Sequence, residues 1–102
     1  MELEINKVQE ESSMTMTLEG RIDTYSAPGL TDEIMAIPGD VKDLVIDLSG
    51  VEYVSSAGIR SFNRADKEMH KRGGRLVIKG ANEFVSDLFE LTGFGSIVEI
   101  QK

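Results

Sequence analysis

The chain has 102 residues, of which 40% are hydrophobic and 28% charged, and its formal net charge is −7. That length suits one domain with a single core, and the absence of cysteine excludes disulfides, thiolate metal sites and thiol nucleophiles. The single histidine, His70, rules out a multi-histidine metal site within one chain, the acidic balance argues against nucleic acid as the main partner, and no apolar run approaches the roughly 20 residues of a membrane span. Met1-Glu2-Leu3-Glu4 has neither the basic start nor the apolar stretch of a signal peptide. The expectation is a small cytoplasmic domain spanning residues 1–102, with no cofactor and no insertion into a membrane.

Glu2 to Asn6 alternates polar and apolar residues, as a half-buried strand does. Gln9 to Ser12 is a polar turn, after which Met14, Met16 and Leu18 alternate with Thr15, Thr17 and Glu19 in a second strand that ends at Gly20. The two form a hairpin burying Met14, Met16 and Leu18. A helix follows to about Ile37, opened by Thr24 or Ser26 with Pro28 in its first turn and Leu30, Ile34 and Ile37 inward. Leu44 to Leu48 is a nearly unbroken apolar run, the pattern of a strand covered on both faces, and Ser49-Gly50 breaks it. The longest helix runs from Ala57 to about Arg72, with Ile59, Phe62, Ala65 and Met69 inward and Arg60, Arg64, Lys67, Lys71 and Arg72 on the wet side. Gly73-Gly74 stops it. Leu76 to Ile78 is another strand, Glu83 to Leu91 a third helix with Phe84, Val85, Leu88 and Leu91 inward and Gly93 as its cap, and Ile97 to Ile100 a last strand. The order β-β-α-β-α-β-α-β predicts a single α/β domain with parallel crossovers.

The most unusual feature is Ser55-Ser56-Ala57-Gly58, between a strand and the N-terminus of the longest helix. A serine there can cap the helix, or it can carry a phosphate, which the unpaired N–H groups and partial positive charge of a helix start welcome. Gly58 fits capping poorly, because glycine lowers helix propensity by about 1 kcal/mol against alanine. A catalytic triad fails: His70 is about 20 Å along the helix from Ser56. No phosphate-loop pattern occurs, and the 18 acidic residues are mostly spread singly. No catalytic or metal-ligating set emerges, so an enzyme is not expected. Six of the 11 basic residues fall between Arg60 and Arg75. They complement the dipole of their own helix or form a docking face for an acidic partner.

Gly20-Arg21-Ile22-Asp23, the run from Leu44 through Ser55-Ser56-Ala57-Gly58-Ile59-Arg60, Gly73-Gly74-Arg75-Leu76 and Leu88 to Phe94 together resemble the STAS domain, the sulphate-transporter and anti-sigma-factor-antagonist domain. The resemblance covers nearly the whole chain. It implies a small mixed sheet with helices packed against it. Stand-alone members of this length resemble bacterial anti-sigma factor antagonists, which bind an anti-sigma factor that is also a serine kinase and so free a sigma factor. The kinase phosphorylates a serine at the start of the long helix and the complex dissociates; a phosphatase restores the cycle.

Carried onto this chain, the resemblance implies Ser56 as phosphoacceptor, two residues before the glycine, with Ser55 a second candidate because it stands where many members have aspartate. It implies a partner surface at Asp23 and around the tetrad at Ser55, Ala57 and Gly58, although Asp23 can equally cap the first helix; Arg60, the basic residue close to the tetrad, is expected to join that surface. A monomer or weak dimer is expected. The other role the resemblance allows is a non-enzymatic subunit of a membrane lipid-transport ABC complex.

Overall fold

The computed structural model describes residues 3–101. Glu2, where the first strand was expected to begin, lies outside them. Strands β1 (Glu4–Glu10), β2 (Ser13–Ile22), β3 (Asp43–Val54), β4 (Arg75–Lys79) and β5 (Glu99–Gln101) form one sheet in the order β1-β2-β3-β4-β5. Helices α1 (Ala27–Met35), α2 (Ser56–Lys71) and α3 (Glu83–Thr92) connect β2 to β3, β3 to β4 and β4 to β5. The hairpin β1-β2 is antiparallel and every other pairing parallel, so the element order and the mixed sheet are those the sequence predicts.

Strand order that never reverses has a consequence. Successive crossovers of one hand, each stepping the same way across the sheet, put their helices on the same face. Burial follows: Met14, Met16 and Leu18 on β2 and Leu44, Ile46 and Leu48 on β3 are buried, while the alternate residues Thr15, Thr17, Val45 and Asp47 are only half-buried. The register aligns Thr15 with Val45 and Val45 with Val77 on the face that carries no helix, where Thr15 and Val45 are half-buried and Val77 is buried. The expectation that Leu44 to Leu48 is covered on both faces is therefore corrected. Apolar Val45 on the open side is what made the run look continuous.

Other boundaries move too: β1 runs to Glu10, α1 ends at Met35 and β5 begins at Glu99 rather than Ile97. Gly20 does not end β2, and Ser49-Gly50 does not break β3: both strands run on, to Ile22 and Val54. Register shifts between Thr17 and Glu19 and between Gly20 and Arg21 absorb the irregular residues without ending the ladder. Phe62, Phe89 and Phe94 close the core, with ring centroids 5.1–6.1 Å apart. On α3 the buried residues are Val85 and Phe89, whereas Phe84 and Leu91, expected inward, are exposed. The side chain of Asn82 accepts from the Val85 N–H at 2.8 Å and fixes the start of the helix, and Gly93 closes it at φ 73°.

Candidate functional site

The ends of β2 and β3 lie level, Ile22 opposite Val54, and each leads into a turn that carries a candidate residue. After Ile22 comes Asp23. Its Oδ1 accepts from the backbone N–H groups of Tyr25 and Ser26, both at 3.0 Å. Ser26 does not cap α1 with its own side chain; its hydroxyl donates to the Arg21 carbonyl at 2.8 Å and accepts from the Asp23 N–H at 2.9 Å. The carboxylate thus organises the turn into α1. These N–H donors, Ser26 foremost, hold the Asp23 pKa below the ordinary aspartate value.

After Val54 comes the serine pair. The Ser55 N–H donates to the Ile22 carbonyl at 2.8 Å, which ties the start of α2 to the residue before Asp23. Ser55 is the N-cap residue, in extended conformation, and its carbonyl accepts the first helical bond, from the Ile59 N–H at 3.1 Å. Its hydroxyl caps nothing. Ser55 Oγ is buried and has no hydrogen-bond partner among the described residues. Ser56 is the first helical residue and is exposed. The two serines, equivalent by type, are opposite in access.

Ala57 is half-buried and Arg60 is exposed. Gly58 is buried, and a Cβ there would meet Ile22 Cγ2 at 2.7 Å and Val54 Cγ1 at 2.8 Å. Gly58, expected among the partner-binding residues, is thus packed on the strand ends: the glycine lets the helix sit close on them. A shallow groove of about 310 Å³ runs between α1 and α2, with Thr24, Pro28 and Ala57 in its walls and Arg60 and Arg64 along one rim. Thr31 and Ser61 share a hydrogen bond of 2.8 Å across its floor. A second hollow is bordered by Asp23 itself together with Ile5, Tyr25 and Leu30.

The basic residues do not form one face. Arg72 was expected on the wet side, but its guanidinium donates to the carbonyls of Pro38 at 2.6 Å and Ile37 at 3.0 Å, and its Nε to Glu68 at 2.9 Å. Its side chain is only 12% exposed. Arg75 lies on the open sheet face between Asp43 and Glu99. His70 is exposed near the far end of α2, its Nδ1 2.9 Å from the Asp66 carbonyl. Of the described basic residues, only Arg60 and Arg64 line the groove between α1 and α2.

Sequence reasoning missed two features at this end of the sheet. Arg21 stacks on the Tyr53 ring at 4.4 Å, and Tyr53 on Phe84 at 5.6 Å. Tyr25 is 95% exposed beside Asp23. The pairing of Arg21 with Tyr53 follows from the shifted register of β2 on β3, which no spacing within either segment reveals.

The STAS domain family model matches residues 4–102, and the chain belongs to that family. It is 32% identical over 100 residues to the anti-sigma-B factor antagonist of Bacillus subtilis, covering 98% of this chain and 92% of the relative. The crystal structure of an anti-sigma factor antagonist from Mycobacterium paratuberculosis shares the fold with a TM-score of 0.86 and 24% identity, over 97% of this chain and 85% of that one. The phosphorylated form of the Bacillus cell fate determinant SpoIIAA shares it with a TM-score of 0.76 and 14% identity, over 97% and 92%.

Proposed function

We propose that this protein is an anti-sigma factor antagonist acting in the cytoplasm. It binds an anti-sigma factor through the surface around Ser56, Asp23, Ala57 and Arg60 and frees the sigma factor. The anti-sigma factor, acting as a serine kinase, switches it off by phosphorylating Ser56, and a phosphatase resets it. Membership of the family and the likeness to a relative named for this activity support the reading. The observation that carries it is the exposed residue Ser56 at the start of α2, beside a Ser55 hydroxyl that is buried. A kinase cleft reaches the first and not the second.

In the modification the γ-phosphoryl group of ATP passes to Ser56 Oγ. The new O–P bond forms as the bond to ADP breaks, and the hydroxyl proton leaves to a base of the kinase. The phosphate brings about −1.5 to −2 charges into the contact. Desolvating that charge under a partner opposes binding, while in the free protein the helix start accommodates it.

The test begins with the partner captured from native lysate, identified and purified. With ATP it must add one phosphate to the wild type, placed on Ser56 by fragmentation, lost in Ser56→Ala and kept in Ser55→Ala. Ser56→Asp must bind it about tenfold or more weakly, roughly 1.4 kcal/mol. No phosphate on either serine together with unchanged binding by Ser56→Asp overturns the reading and returns the transport-complex role.

A further inference from the structure

Arg60 stands four residues after Ser56 on a helix of 16 residues. That spacing places the two Cβ atoms about 5–6 Å apart on one face. Helical side chains lean toward the N-terminus, so the Arg60 guanidinium is carried toward Ser56. Arg64 repeats the arrangement one turn on. Both arginines are exposed, and among the described residues no carboxylate lies within ion-pair distance of either.

Their charge is unspent in a chain that has carboxylates in excess. Lys7, Arg72 and Arg75 each hold an acid (Glu33, Glu68, and Asp43 with Glu99), whereas Arg60 and Arg64, like Arg21, Lys42, Lys67, Lys71 and Lys79, have no ion pair among the described residues; what sets Arg60 apart is its place one turn after Ser56. The helical neighbours of Arg60 three and four residues away are Ser56, Ala57, Asn63 and Arg64. Three are neutral and the fourth repels it. The first turn of α2 contains no acidic residue, and the Asp23 carboxylate is engaged by the N–H groups of its own turn. With no carboxylate among the described residues competing for it, Arg60 is available to an anion placed on Ser56, and Arg64 adds its positive charge one turn on.

We propose that Arg60, backed by Arg64, is a phosphate-binding site in cis for the phosphomonoester on Ser56. The inference rests on Ser56 being the phosphoacceptor. A guanidinium matches a phosphate with two parallel N–H···O bonds, and an anion N-terminal to a cation at this spacing has the orientation the helix dipole favours. The phosphate then lies along α2 toward the mouth of the α1–α2 groove. One modification changes that surface twice: it adds negative charge at Ser56 and withdraws the positive charge of Arg60 from the groove rim.

The test needs no kinase, since phosphoserine can be installed at position 56 during translation. The phosphate is titrated by ³¹P NMR in the full chain. Its second pKa is expected about 0.3 unit lower in wild type than in Arg60→Gln, with Arg60→Lys recovering part of the shift and Lys71→Gln leaving it intact. Superimposed titrations of wild type and Arg60→Gln overturn the proposal. A second readout uses wild type alone: the Arg60 Nε–H resonance must move on phosphorylation, and an unmoved resonance is equally fatal. Lack of phosphorylation by any anti-sigma factor counts against the proposed function, whereas superimposed titrations count against Arg60.

Discussion

Gly58 lies so close to Ile22 that a Cβ at position 58 would stand 2.7 Å from Ile22 Cγ2. The first turn of α2 is pressed onto the ends of β2 and β3, and the Ser55 N–H bond to the Ile22 carbonyl holds it there. That contact sets the direction in which Ser56 leaves the surface. It also explains why the helix carries, near its start, a residue that costs about 1 kcal/mol in helix propensity.

Gly58→Ala should therefore destabilise the protein, against the usual gain from replacing a helical glycine. Forcing a methyl group against the buried Ile22 and Val54 methyls costs about 1–3 kcal/mol and exceeds the propensity gain of about 1 kcal/mol. A net loss of about 1 kcal/mol in urea denaturation is expected, and Gly58→Val should lose more. A stabilised Gly58→Ala protein would show that the contact relaxes freely.

Arg72 and Lys71 are adjacent in sequence and unlike in effect. Arg72→Ala removes donors to the carbonyls of Ile37 and Pro38 and the ion pair to Glu68, in a side chain that is 12% exposed. A charged hydrogen-bonding group in that setting is worth about 1.5–3 kcal/mol, so thermal stability should fall clearly. Lys71→Ala, on the exposed surface, should stay within about 0.5 kcal/mol of wild type. Equal effects would remove Arg72 from the junction between α1 and β3.

The contrast between these neighbours shows what the sequence makes legible. Period-two alternation at Met14, Met16 and Leu18 and helical spacing at Ile59, Phe62, Ala65 and Met69 place those side chains in the core, where they are found. Periodicity is local, and tertiary choice is not. Arg72 and Lys71 read alike until the loop after α1 is seen to offer carbonyls to one of them. The α3 stripe misplaced Phe84 and Leu91 because a helix of ten residues with five apolar ones admits more than one inward face. Phe89 wins by meeting Phe62 and Phe94, which lie far apart in the chain. At the site, the serine tetrad was legible as a motif, but the difference between Ser55 and Ser56 was not, since it arises from the helix starting at Ser56.

Asp23 gives a pH signature. Hydrogen bonds from the Ser26 and Tyr25 N–H groups lower its folded pKa below the ordinary value, so the folded state binds the proton less tightly than the unfolded state, whose aspartate titrates near pH 3.9. Its contribution is fully present above the unfolded value and is lost as pH falls through the folded one. Asp23→Asn should melt below wild type at pH 7, and the gap should shrink as pH is taken below about 4. A gap that stays constant or widens in acid would show that the charge of Asp23 does not stabilise its turn. Should Asp23→Ala weaken partner binding by more than it lowers melting temperature, the carboxylate also serves the contact surface.

The serine pair provides the last prediction. An N-cap serine that bonds the helix start normally costs about 1 kcal/mol to replace with alanine. Ser55 occupies the N-cap position, but its hydroxyl is buried and unpartnered among the described residues. Ser55→Ala therefore removes no bond and relieves an unpaired polar atom, and its stability should match wild type within about 0.5 kcal/mol or rise. Ser55→Asp, by contrast, puts a charge where the hydroxyl has no exposure, and should destabilise unless the carboxylate turns to accept from the free N–H groups of the first turn. Ser56→Ala and Ser56→Asp should both fold with near-native stability, because position 56 is open to solvent. Thermal denaturation of the four variants separates the positions without any partner. A loss of about 1 kcal/mol in Ser55→Ala would mean that its hydroxyl does cap α2 in solution. A comparable loss in Ser56→Ala would make the exposed serine a structural cap and remove the reason to regard it as the accessible phosphoacceptor.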